Sequence, residues 1–313
     1  MPDTLVIICP GQGAQSVGMA KAWTEASPES KRVFTEADAI LGDSLGAPLS
    51  QLCFEGPIET LNRTDVSQPA IFAASVASFR GWIETTGLGP GDPSVEAAAG
   101  LSLGEYTALH IAGAFDFEHA LKLVALRGKA MQDAAEAAPS GMVALIGADE
   151  EKAIEVCDRA RGAGEVLVPA NFNAPGQVVI SGSASACDRA EAVSKELGLR
   201  VARLPVAGAF HSPLMQPAAD RLAEALAGTP IRMTMGPVMS NVTAEPHKSP
   251  DEIRRGLYDQ LTCPVRWAAC CEFMINDQPN AEFHELAPGK SLAGMMRRIS
   301  RGTKVISHDA PGA

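Results

Sequence analysis

The chain has 313 residues, 46% hydrophobic and 20% charged, with a formal net charge of −11 at pH 7. This length suits one large domain or two smaller ones with a full core, and the composition excludes a disordered or fibrous protein. The acidic balance repels nucleic acid and anionic membrane, so an anionic partner has to be met by a local basic patch.

In chain order, "TLVIICPG" is a short apolar run ending in Pro-Gly, the pattern of a strand buried on both faces of a parallel sheet. The turn "ICPGQGAQSVG" carries Gly11 and Gly13 where a dinucleotide fingerprint has its first two glycines, but Ser16 stands at the third. Its alternatives are a tight turn offering backbone N–H groups, such as that of Gln12, to an oxyanion, and a plain strand-to-helix connection. Helical patterns run to about residue 85, and "GLGPGDPS" breaks the chain. "VEAAAGLS" then reads as a strand and "LGEYTALHIAGAF" as a helix, with Ser102 between Gly100 and Gly104. A nucleophile elbow fits that spacing: the serine sits at the tip of a sharp turn, and the glycines keep neighbouring backbone clear. So does a capping box, with Ser102 as N-cap and Glu105 three residues on. "FEHALKLVALRGKAMQDAAEAA" is a long amphipathic helix carrying Arg127. That guanidinium either snorkels to solvent or points inward, where its planar fork suits a carboxylate.

The texture changes near Pro139. Strand, helix, two hairpin-linked strands, helix and strand follow in the order of a split βαβ, ferredoxin-like unit, so residues 139–206 are expected as a small inserted domain. Residues 1–138 and 207–313 then form an α/β large domain with a mainly parallel sheet. Its second half reads as helix "PLMQPAADRLAEALAG", strand "GPVMSNVT", a helical stretch from "SPDEIRRGLYDQL" through "WAACCEFMI", and strand "AEFHELAPG". His211, in a loop flanked by Gly208 and Pro213, is the best-placed base for a serine nucleophile. With an ordinary imidazole pKa near 6.5 it loses activity as pH falls through that value. The order departs from α/β-hydrolases, which run serine, acid, histidine with the histidine near the end, whereas about a hundred residues follow His211.

Seven scattered cysteines with no Cys-x-x-Cys pair read as reduced thiols in a cytoplasmic protein, and the six histidines show no metal-ligand spacing. The opening "MPDTLVIICPGQG" lacks a basic segment, its apolar run is too short for a signal peptide, and no stretch approaches a membrane span.

Nine stretches, "PGQGAQ", "SQPAIFAA", "GLSLGEYTAL", "LRGKAMQ", "NAPGQVVISG", "GAFHSPLM", "SNVTAEP", "QLTCPVRW" and "ELAPGKSLAG", come in an order that resembles the malonyl-CoA:acyl-carrier-protein transacylases of fatty acid synthesis. More distantly they resemble the chemically close polyketide acyltransferase domains; a short chain without flanking synthase modules is expected to serve fatty acid synthesis. The resemblance implies a hydrolase-like fold and transfer of malonyl from malonyl-CoA to the pantetheine thiol of acyl carrier protein, without a cofactor, since the CoA thioester is a substrate. It implies Ser102 as the acylated nucleophile, His211 as base and then acid, and the N–H groups of Leu103 and Gln12 as oxyanion hole. It further implies the backbone carbonyl of Gln260 as the group orienting His211, and Arg127 as partner of the malonyl carboxylate. Gln68 and Asn171 or Asn173 fall in matching stretches. Carrier proteins of this kind are acidic, and Arg200, Arg203, Arg297, Arg298 and Arg301 are candidates for a docking patch. Departures are Leu101 where many relatives have histidine and Ala287 at a frequent glycine. Phe210 matches malonyl-type members, since its ring leaves little room for an α-methyl branch.

Overall fold

The computed structural model describes residues 4–87 and 95–312. The first strand, β1 (Leu5–Cys9), is followed by helices α1 (Lys21–Ala26), α2 (Pro28–Leu41), α3 (Leu49–Glu55), α4 (Ile58–Leu61) and α5 (Thr64–Thr86). Strand β2 (Val95–Gly100) leads into α6 (Leu103–Ile111) and the long α7 (Phe117–Ala137). Then come β3 (Ser140–Ile146), α8 (Glu150–Ala160), β4 (Leu167–Ala174), β5 (Gln177–Ser183), α9 (Ala184–Glu196) and β6 (Arg200–Arg203). The chain closes with α10 (Gln216–Gly228), α11 (Pro250–Asp259), α12 (Trp267–Asp277), β7 (Glu282–Leu286), α13 (Ser291–Ile299) and β8 (Val305–His308).

The result is an α/β protein with two sheets. One is parallel, in the order β2-β1-β7-β8, and the other is antiparallel, in the order β4-β5-β3-β6. All five residues of β1 are buried because successive side chains enter two different cores. Leu5, Ile7 and Cys9 join the large core built on α5, α6 and α7. Val6 and Ile8 meet Trp267, Cys270, Cys271 and Met274 of α12 on the other face. The antiparallel sheet is divided in the same way. Val143, Leu145, Val178 and Ile180 bury against α8 and α9, while Met142, Ala144 and Val179 face the large core. The middle of α5 is buried all round, which is why its sequence shows no polar stripe. Among the described residues no helix is long and apolar enough to cross a membrane.

Two expectations change. "GPVMSNVT" is not a strand; only Val238 bridges to Ala98, and Met239 to Pro246. The backbone turns back at once, with Ser240 N–H donating to Glu245 O and Ala244 at φ 56°, so the edge beside β2 is lost after two residues. The sheet is instead extended on its far side by β8, which pairs with β7 and had no clear alternation to announce it. The loop expected at "GLGPGDPS" lies, beyond Gly87, outside the described residues.

Candidate active site

Ser102 stands between the end of β2 and the start of α6, in a left-handed conformation (φ 52°, ψ −104°) that is uncommon for a residue with a side chain. The turn is so tight that a Cβ on Gly100 would lie 1.8 Å from the carbonyl carbon of Gly104, and one on Gly104 would lie 2.1 Å from Cys9 O. Both positions therefore require glycine. Asn241 locks the turn from beneath: its Oδ1 accepts Ser102 N–H at 2.6 Å and its Nδ2 donates to Gly100 O at 2.8 Å. The capping-box alternative fails, because Ser102 makes no side-chain cap and the Glu105 carboxylate is fully buried among other partners.

The Ser102 hydroxyl meets His211 and Arg127. His211 Nε2 is 2.8 Å from Ser102 Oγ, and its Nδ1 is 2.7 Å from the carbonyl oxygen of Gln260. A carbonyl only accepts, so Nδ1 carries the proton and Nε2 presents its lone pair to the serine. A backbone carbonyl thus stands where hydrolase triads have an acid. His211 is itself at φ 56°, in a turn whose Gly208 passes tightly over Ala135 of α7. Burial, reinforced by the Arg127 guanidinium, pushes its pKa down to about 4 against the weaker raising effect of the Gln260 carbonyl. The value near 6.5 holds only for an unperturbed imidazole, and the folded chain buries this ring almost completely, which a loop sequence does not register.

Arg127 points inward and is 1% exposed, which settles its direction against snorkelling. Nη1 donates to Gln68 Oε1 at 2.7 Å, and Nη2 donates to Gln260 Oε1 at 2.8 Å and to Ser102 Oγ at 3.0 Å. The guanidinium lies over the Tyr106 ring, 5.3 Å from its centroid. Among the described residues no carboxylate comes within ion-pair distance of it. Burial lowers its pKa, and the fork is held by neutral oxygens, a costly state for a cation until an anion arrives.

Gln12 lies in the turn after β1, where a Cβ on Gly11 would be 2.3 Å from Leu101 O, so this turn runs against the serine turn. Gln12 Nε2 donates to Thr64 Oγ1 at 3.3 Å. Among the described residues, neither Gln12 N–H nor Leu103 N–H meets a hydrogen-bond acceptor. Asn171 and Asn173 are buried on β4 and make no hydrogen bond to Ser102, His211 or Arg127; the Asn173 Oδ1 has no partner among the described residues. Leu101 packs into the apolar cluster with Met295 and Ala244, so the expected histidine position is filled by a hydrophobic contact.

Asn241, Glu105 and His247 are parts of the site that the sequence did not reveal. Asn241 stands inside the quoted stretch "SNVTAEP" without a role attached, and Glu105 inside "GLSLGEYTAL", where it was read only as the acid of a capping box.

The Acyl transferase domain profile matches residues 6–304. The chain is 42% identical over 293 residues to the malonyl CoA-acyl carrier protein transacylase of Escherichia coli (strain K12), covering 93% of this chain and 91% of that one. It resembles the structure of the malonyl CoA-acyl carrier protein transacylase from Coxiella burnetii with a TM-score of 0.92 and 39% identity, over 99% of this chain and 95% of that one. It also resembles a malonyl-transacylase solved in complex with a type II PKS acyl-carrier protein, with a TM-score of 0.91 and 38% identity, over 98% and 96% of the two chains.

Proposed function

The chain belongs to the acyl transferase domain family, among its malonyl-CoA–acyl carrier protein transacylases, and from that premise we propose how it moves malonyl from CoA to the carrier's pantetheine thiol in fatty acid synthesis. The observation that carries the reading is the part-buried Ser102 hydroxyl meeting the buried His211 and the buried Arg127, a cation without a carboxylate partner among the described residues. Ser102 Oγ attacks the thioester carbonyl while His211 Nε2 takes its proton. The free N–H groups of Leu103 and Gln12 receive the oxyanion, and Arg127 pairs with the distal carboxylate. The C–S bond then breaks and His211 returns the proton to the departing CoA thiolate. In the second half-reaction the carrier thiol gives its proton to His211 and attacks the malonyl-serine ester. The C–Oγ bond breaks and Ser102 regains its proton. No cofactor is required, and the CoA thioester is a substrate.

The fold supports the same reading. We treat the Ser102 turn as a nucleophile elbow on a hydrolase-like large domain of residues 1–138 and 207–313, with residues 139–206 as a ferredoxin-like insertion. The β4-β5-β3-β6 order, with α8 and α9 packed against one face, supports that reading of the insertion. Seven free cysteines suit a cytoplasmic setting. For carrier docking, Arg203 is already tied to Glu191 and Asp188. Arg200, Arg297, Arg298 and Arg301 are exposed without an ion pair among the described residues and remain the candidates.

Two half-reactions at one serine require ping-pong kinetics. Initial rates with malonyl-CoA and carrier both varied should give parallel double-reciprocal lines; intersecting lines would mean a ternary complex and no acyl-enzyme on the path. The base adds a pH signature. A depressed pKa keeps His211 neutral until the pH approaches 4, so acylation should stay level from pH 7 to about 5 and fall near 4. The same ring, charged in the unfolded chain below about 6.5, costs stability as pH falls through that window, so rates are read where circular dichroism shows a folded protein. His211→Ala should slow acylation by ~10²-fold or more. A titration midpoint near 6.5 in the wild type would mean that the ring is far more hydrated than its burial indicates.

A further inference from the structure

Glu105 lies on the first turn of α6, three residues after the nucleophile, and is fully buried. Its Oε2 accepts Gln260 Nε2–H at 2.6 Å and Asn241 N–H at 3.1 Å. Its Oε1 lies 2.8 Å from His247 Nε2. The carboxylate therefore ties the serine helix to the loop before α11 and to the residue that ends α11.

The consequence concerns the direction of one amide. Gln260 Nε2 faces three acceptors, Glu105 Oε2 at 2.6 Å, Ser102 O at 3.1 Å and, more distantly, Asn241 Oδ1 at 3.4 Å, of which the carboxylate is the nearest and the only charged one. Its Oε1 faces Arg127 Nη2 at 2.8 Å. A carboxylate can only accept and a guanidinium can only donate, so Glu105, as the charged and nearest acceptor, does most to decide which end of the amide meets Arg127, with the Ser102 and Asn241 carbonyl oxygens in support. Turned the other way, the amide would set its NH₂ against the guanidinium and its oxygen against the carboxylate, and lose the hydrogen bonds to Arg127 and Glu105 together.

We propose that Glu105 is a positioning residue for substrate charge recognition: by fixing the polarity of the Gln260 amide it holds the Arg127 fork in place to receive the substrate carboxylate. This rests on the malonyl-transfer reading. The effect reaches Arg127 and leaves untouched the Gln260 backbone carbonyl that orients His211, so it should separate acyl groups by charge.

The test is kcat/KM for malonyl-CoA and for acetyl-CoA in wild type, Glu105→Ala and Glu105→Gln. Removing the charged acceptor should lower malonyl transfer by roughly ten- to hundredfold, the range for one charge-assisted hydrogen bond, and acetyl transfer by about threefold or less. Glu105→Gln should restore most of the preference. Its oxygen must face the two N–H donors, and its NH₂ can face His247 once that ring moves its proton to Nδ1. If Glu105→Ala does not fold, Glu105→Asp replaces it, since the shorter side chain withdraws the acceptor from Gln260 and should give the same malonyl-selective loss. Equal losses for both acyl groups, or a Gln variant as impaired as the Ala variant, would overturn the proposal. A wild-type protein that takes up no malonyl on Ser102 would overturn the functional reading as well. Normal uptake with an unchanged malonyl-to-acetyl ratio in the variants would overturn only the role of Glu105.

Discussion

Replacing Ser102 with alanine should cost malonyl transfer on the order of 10⁴–10⁶-fold, the scale seen when a serine nucleophile is removed from a machinery that acts as one unit. The oxygen lost is the one that meets both His211 and Arg127, so its removal silences the base and breaks one contact of the fork together. The fold should survive. The left-handed turn is held by Asn241 through backbone N–H and C=O groups, which alanine retains. Steady-state transfer to carrier, with circular dichroism alongside, measures both. A variant with transfer within tenfold of wild type would place the chemistry elsewhere.

Arg127→Ala should lower malonyl kcat/KM by roughly 30- to several-thousand-fold, from the ~2–5 kcal/mol lost when one partner of a desolvated charge pair is truncated. Malonyl carries a second carboxylate that is costly to draw from water unless a cation meets it. Arg127 is buried, has no carboxylate partner among the described residues, and holds its fork open between Gln68 and Gln260. Acetyl-CoA brings no such charge, so its transfer should be unharmed or improved in the variant. Equal losses for both substrates would reduce Arg127 to a structural support beneath Ser102.

Much of this site was legible because its signals are local. A wholly apolar run announces β1, and two glycines flanking a serine announce a turn that tolerates no Cβ. Arg127 was legible as a residue but not as a direction. A helix pattern does not say which side will be covered, and it is α5, contributing Gln68, that closes over the guanidinium. Asn241, Glu105 and His247 were illegible for a related reason. A buried polar residue has no periodic signature, and its partners lie far away in sequence. The depressed pKa of His211 follows from tertiary burial and from the nearby Arg127 charge, neither of which a loop sequence contains. "GPVMSNVT" was misread because its apolar beginning has strand composition, whereas the turn that ends pairing is made by backbone hydrogen bonds among polar residues.

The acyl-enzyme itself is the most direct test. The wild-type protein is incubated briefly with malonyl-CoA, its intact mass is measured, the modified residue is mapped, and carrier protein bearing a free pantetheine thiol is then added. The expected result is one malonyl group on Ser102, discharged onto the carrier on addition. No adduct, or a malonyl group that persists on another residue after the carrier is added, would contradict transfer through Ser102.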